Sequence, residues 1–401
     1  MTAEPYAFLP ARQQPAYPDP AALRKVLHRL SQLAEPVDSL SARALGRELA
    51  AVAERRRFIV MAGECAETFD DAGVPSVLRK ADFVHELADI VSRSGVPATR
   101  IGRFGGQFAK PRSAAHEVVD GQHVPVYRGD AVNGYHRNER LADPNRLLAA
   151  YLHSAAAARA LCAWDGRRSR HDGLRPASRT FLGHEALLLD YEVALLRHGG
   201  RHASSGHYLW IGERTRQLDH AHIALAEAID NPVGVKIGPT AQAAEVRELI
   251  TRLGGSSHAA GRLSLIIRMG AEQLQNRLPA LLQGLGRDAE RVLWVLDPMH
   301  GNGRVNAHGQ KTRLLSDIHK EIDDFFAVLQ AQKLWPGGIH LEATPDDVTE
   351  CVRDDRGLDT WLPRFRSTCD ARLNRDQARE ISEHLAVLVR NALRIEGNQH
   401  R

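Results

Sequence analysis

The chain has 401 residues, 43% hydrophobic and 25% charged, an ordinary globular composition with length for a large core. Net charge is only +4, aromatic residues are 5%, and no Lys/Arg block stands out; this argues against nucleic acid and for a small anionic ligand. No apolar run approaches a membrane span, and residues 1–20 lack a signal-peptide pattern, so we expect a cytoplasmic protein whose four cysteines (Cys65, Cys162, Cys351, Cys369) are thiols.

In chain order, residues 1–20 read as an extended arm. Pro20 opens a helical pattern (Leu23, Val26, Leu27, Leu30, Leu33), and Asp38 or Ser41 caps a second helix before Arg55. Short apolar strands then alternate with amphipathic helices. The expected strands are Arg57–Ala62, Thr99–Arg103, Thr180–Leu182, Tyr208–Ile211, Val233–Ile237, Leu263–Arg268, Val292–Leu296 and Gly338–Leu341. The expected helices are Val77–Val91, Pro144–Leu161, Ala186–Leu195, Leu218–Ala228, Gln242–Leu253, Glu272–Leu285, Leu314–Leu329 and Arg375–Leu393. Trp164 to Arg179, rich in Arg, Gly and Ser, reads as a surface loop within a long second connection.

Eight strands alternating with helices predict an α/β fold of (β/α)8 TIM-barrel type with an N-terminal helical extension. We assign residues 1–55 to the arm and extension and 56–401 to a catalytic barrel. An open doubly wound sheet fits less well. No GxGxxG follows the first strand, and polar residues close nearly every strand rather than one switch point.

The strand ends carry the chemistry. In Arg291-Val-Leu-Trp-Val-Leu-Asp-Pro-Met-His-Gly-Asn302 an apolar run stops abruptly at Asp297, His300 and Asn302. Cys65 follows the first strand, His300 the seventh and Glu342 the eighth; Asp370 lies in Thr368-Cys-Asp-Ala-Arg-Leu-Asn374. A barrel can bring such residues to one face. A thiolate, an imidazole and two carboxylates suit Mn, Fe, Co or Zn better than Mg or Ca.

Cations recur in the same places. Arg100-Ile-Gly-Arg-Phe-Gly-Gly-Gln-Phe-Ala-Lys-Pro-Arg-Ser113 combines four basic residues, paired glycines and a serine, a composition for approaching a phosphate. Glu213 and Arg214 follow Trp210, Lys236 sits within the fifth strand, and Arg268 ends the sixth. An unpaired ammonium inside a strand is costly, so one or two phosphate-bearing substrates would account for the set. Glu213, Asp297 and Glu64 are the carboxylates placed for proton transfer.

These motifs resemble the type II 3-deoxy-D-arabino-heptulosonate 7-phosphate (DAHP) synthases across residues 55–395. The matching blocks include Gly63-Glu-Cys-Ala-Glu67, Gly106-Gln-Phe-Ala-Lys-Pro-Arg-Ser113, Trp210-Ile-Gly-Glu-Arg-Thr-Arg216, Asn231-Pro-Val-Gly-Val-Lys-Ile-Gly-Pro239, Arg268-Met-Gly270 and Gly337-Gly-Ile-His-Leu-Glu342. The resemblance implies a metal-dependent condensation of phosphoenolpyruvate with erythrose 4-phosphate, followed by water addition and phosphate release. It implies a divalent ion (Mn, Co, Zn or Fe) on Cys65, His300, Glu342 and Asp370. It implies phosphoenolpyruvate on Arg214, Lys236 and Arg268, lined by Trp210 and Glu213, and erythrose 4-phosphate along Arg103, Lys110 and Ser113. Lys236, Glu213 and Arg103 are the expected catalytic residues.

The chain departs from the family at Ala62, Phe104, Ala371 and Arg353-Asp-Asp355, none of them an expected ligand or clamp. Its length resembles the short form tied to secondary metabolism of phenazine type, with little feedback control. A homodimer is expected. An amino or imino aldehyde analogue as substrate, and a catalytically silent regulatory partner, are the alternative readings.

Overall fold

The structure, a computed structural model, describes residue 6 and residues 8–119, 121–171, 179–254 and 260–399. Eight parallel strands form a closed barrel: β1 (Phe58–Gly63), β2 (Ala98–Arg103), β3 (Thr180–Glu185), β4 (Tyr208–Ile211), β5 (Val233–Ile237), β6 (Leu263–Ile267), β7 (Leu293–Leu296) and β8 (Pro336–Glu342). Each strand neighbours the next in sequence, and β8 closes on β1. Strands buried on both faces read as continuous apolar runs, which is why all eight were visible as segments such as Phe58-Ile-Val-Met-Ala-Gly63. The expected (β/α)8 architecture is therefore correct.

The helices are α1 (Pro20–Gln32), α2 (Ser39–Ala53), α3 (Val74–Ser92), α4 (Asn145–His171), α5 (Leu189–Ala194), α6 (Ala221–Ala228), α7 (Ala243–Leu253), α8 (Leu274–Leu285), α9 (Leu315–Ala331) and α10 (Arg375–Gln399). The expected loop at Trp164 is a correction: α4 continues through it to His171, and residues 172–178 lie outside the described residues. Arginine is a good helix former, and the interior Gly166 costs only about 1 kcal/mol against alanine.

The chain divides into two compact units. One comprises the residues up to Leu45, Ala66–Leu78 and Arg103–Val233. Here the arm is pinned rather than loose: Gln14 donates to the Leu187 carbonyl (2.8 Å) and accepts from the Leu189 N–H (3.0 Å). Asp19 caps α1 by accepting from the Ala21 and Ala22 N–H groups. Val26 and Leu30 of α1 then join Leu147, Tyr151, Tyr191 and Leu195 in one apolar cluster. The long connection after β2 carries an antiparallel hairpin, His116–Val119 with Gln122–Pro125, whose residues are exposed or half-buried.

The other unit comprises Gly46–Cys65, Arg79–Gly102 and the residues from Gly234 onward. In it β1 and β8 pair in register from Ile59↔Gly338 to Gly63↔Glu342. β8 runs one residue past the expected end, so Glu342 is the last residue of the strand itself.

Candidate metal centre and phosphate clamps

In the second unit, the β1–β8 register sets Gly63 beside Glu342, and Cys65 follows two residues later. Beyond β8, Ala343 forms a parallel bridge with Leu373, and the Leu373 N–H donates to the Glu342 carbonyl at 3.0 Å. That pairing carries Asp370 to the same place. Ligand atoms of Cys65, Glu342 and Asp370 lie within 4.8 Å of one another. His300 joins them, its Nε2 2.9 Å from Glu342 Oε1. All four predicted ligands are thus gathered in one unit. A soft sulfur, a ring nitrogen and carboxylate oxygens fit a borderline divalent ion.

The turn after β7 orients His300. Asp297 Oδ1 accepts the Met299 and His300 N–H groups (3.1 and 3.2 Å), and its Oδ2 takes both His300 Nδ1 and Lys236 Nζ at 2.7 Å. Asp297 at Nδ1 and Glu342 at Nε2 thus hold the His300 ring from both of its nitrogens. Burial works to raise the Asp297 carboxyl, but His300 and Lys236 outweigh it and hold the group well below the usual carboxylate range. Asp297, one of the three carboxylates placed from sequence for proton transfer, is therefore held as an anion between His300 and Lys236. Glu64 is likewise committed, to Arg372 (2.6 Å) and Lys80 (3.5 Å). Gly270 (φ +84) and Gly301 let the loops after β6 and β7 touch: a Cβ on Gly301 would lie 2.4 Å from the Gly270 nitrogen.

Lys236 is the buried ammonium expected in β5, and Asp297 is its counter-ion. Arg268 donates through Nη2 to the His300 carbonyl (2.7 Å), so the clamp cation and the ligand turn are tied together.

Sequence reasoning missed the groups around this set. Lys311 Nζ contacts Asp370 Oδ1 at 2.7 Å, and Arg313 Nη2 lies 2.8 Å from Glu342 Oε2. Arg372 pairs with Glu350 (2.7 Å) as well as Glu64. No sequence signal marked them: Lys311 opens a strand only two residues long, and Arg313 follows it.

The first unit holds the other predicted residues. Arg103, buried at the end of β2, places its guanidinium 5.3 Å from the centroid of the Trp210 ring. Arg214 Nη2 donates to Ser113 Oγ at 2.8 Å, joining a residue expected at one phosphate to a residue expected at the other. Glu213 is paired with Arg216 at 2.9 Å. Glu67 Oε1 accepts both the Gly106 and Gln107 N–H groups at 3.1 Å and so fixes the glycine turn before Lys110. Of the four basic residues read in this stretch, two are structural. Arg100 pairs with Asp89, and Arg112 binds the Tyr127 carbonyl and Glu117.

The class-II DAHP synthetase family matches residues 1–168 and 162–386. A phospho-2-dehydro-3-deoxyheptonate aldolase of Streptomyces coelicolor is 39% identical over 96% of this chain and 96% of its own length. One from Mycolicibacterium smegmatis is 35% identical over 95% and 93%, and a probable one from Pseudomonas fluorescens is 38% identical over 92% of each. The structure of the corresponding aldolase from Francisella tularensis superposes with a TM-score of 0.53 at 14% identity, covering 92% of this chain and 96% of that one, a likeness of fold. The chain therefore belongs to the class-II DAHP synthetase family and is an enzyme of the transferase class.

Proposed function

We propose that the protein condenses phosphoenolpyruvate with erythrose 4-phosphate to give DAHP and inorganic phosphate, with a divalent ion held by Cys65, His300, Glu342 and Asp370. The observation that carries this reading is the gathering of three of these donors within 4.8 Å, with His300 2.9 Å from Glu342. The bound ion supplies Lewis acidity toward the aldehyde oxygen.

The chain's own residues do the rest. Lys236, Arg214 and Arg268 neutralise phosphoenolpyruvate, and Lys110 and Ser113 take the phosphate of the aldose, with Arg103 between the two. Two anions repel unless cations are fixed beside both, so these clamps set orientation as well as affinity. As C3 of phosphoenolpyruvate bonds to the aldehyde carbon, C2 becomes electron-poor and water adds there. Lys236, an ammonium held by Asp297, places that water, and Glu213 takes its proton. Phosphate then departs against Arg214 and Arg268.

We further propose that residues 1–55 are an arm and extension to a catalytic barrel spanning 56–401, that the protein acts as a cytoplasmic homodimer, and that its product feeds secondary metabolism with little feedback control. Among the described residues no helix is long and apolar enough to cross a membrane. The test is phosphate release from the two substrates by metal-stripped protein with and without added Mn2+ or Co2+, with the product identified by mass. Metal-dependent release and a seven-carbon phosphate product are expected; release without the aldose, or none, would refute the reading.

A further inference from the structure

Arg313 is buried and lies at the end of a two-residue strand, Lys311–Thr312. Its backbone is fixed, since its carbonyl accepts the Val352 N–H at 3.0 Å and the neighbouring Thr312 hydroxyl donates to the Glu350 carbonyl at 2.9 Å. The guanidinium then reaches three places. Nη2 meets Glu342 Oε2 at 2.8 Å, Nε donates to the Met299 carbonyl at 2.7 Å, and Nη1 donates to the Ala371 carbonyl. Met299 precedes His300 and Ala371 follows Asp370. One planar cation therefore touches one expected ligand directly and the backbone beside two others.

Each of the three guanidinium nitrogens meets an oxygen of the ligand framework. Two carboxylates and a sulfur converge here before any ion arrives, and a buried cation offsets part of the repulsion between the carboxylates. Lysine cannot copy the arrangement, because it is a point charge without the fork that meets three acceptors in fixed directions.

We infer that Arg313 is a positioning residue that assembles Glu342, His300 and Asp370 into a metal-ready set before the ion binds. The inference rests on the proposed ligand assignment and extends it to a residue that is not a ligand. Partners of this kind hold first ligands in place, and their loss weakens metal binding by about 10–100-fold.

The experiment is titration of metal-stripped full-length protein with Co2+ or Mn2+ by calorimetry, for wild type, Arg313→Lys, Arg313→Met and Cys65→Ser, with the melting temperature of each apoprotein measured alongside. Arg313→Lys keeps the buried charge, so the fold is expected to survive even if Arg313→Met does not. The expected result is metal affinity about 10–100-fold weaker in Arg313→Lys with apoprotein melting close to wild type. Unchanged affinity in Arg313→Lys, with Cys65→Ser strongly impaired, overturns the role of Arg313 alone. Wild-type affinity in Cys65→Ser overturns the ligand assignment and this inference with it.

Discussion

Single residues here work through their partners. Arg268 reads from sequence as a strand-end cation, and its bond to the His300 carbonyl connects it to the metal turn. We expect Arg268→Ala to lower kcat/KM by at least about a hundredfold while the melting temperature shifts by no more than about 4 °C. Near-normal turnover would remove Arg268 from the clamp. The Lys236–Asp297 pair gives a second expectation with a direction. Asp297→Asn leaves a buried ammonium without its anion, a loss of about 3–5 kcal/mol. Lys236→Met leaves Asp297 still bonded to His300 Nδ1 and two backbone N–H groups, so it costs less. Denaturant unfolding of the two variants measures the order, and equal losses would contradict it. Lys236 and Arg268 were legible because a charge inside an apolar strand needs an explanation. Arg313 and Arg372 were not, since nothing in their immediate sequence marks them and their partners are distant in the chain.

Elements were legible in proportion to their burial. All eight barrel strands follow from apolar runs, with ends wrong by a few residues, as at β3, which continues through Gly183, His184 and Glu185. The hairpin at 116–125 gave no such run because its faces are largely solvated. Helix α4 was read too short because Trp164 to Arg179 has the composition of a loop, whereas its arginines are compatible with helix.

The pairing of β3 with β4 has a titratable clamp, since His207, just before β4, accepts the Leu182 N–H through Nδ1 at 3.0 Å. Burial pushes this imidazole down to about 3, with Arg179 acting in the same direction. In the unfolded chain it titrates near its ordinary 6.5. The folded state thus refuses a proton that the unfolded state accepts. The His207 contribution is intact above pH 6.5 and is lost as pH falls toward 3. We expect stability to decline across that interval, and to decline less steeply in His207→Gln; equal slopes would show that other groups govern acid unfolding.

For the molecule as a whole, the barrel supplies rigid strand ends and the connections supply what stands on them. The ligand set combines the end of β1, the end of β8, the turn after β7 and a late segment bridged to the residue after β8. Metal binding should therefore be felt as global stability. An ion present at about 100 times its Kd should add about 2.7 kcal/mol to unfolding, and a chelator should remove it. A melting curve indifferent to both would mean that the ion binds folded and unfolded chain alike.

The claim on which the rest depends is that sulfur, nitrogen and oxygen from distant parts of the chain share one ion. Absorption spectroscopy of the apoprotein titrated with Co2+ addresses it directly, because a thiolate bound to Co2+ gives a charge-transfer band that oxygen and nitrogen ligands do not. We expect that band to grow to one equivalent in the wild-type protein and to be missing in Cys65→Ser. Saturation of the wild type without the band, or a band that survives Cys65→Ser, would contradict the account.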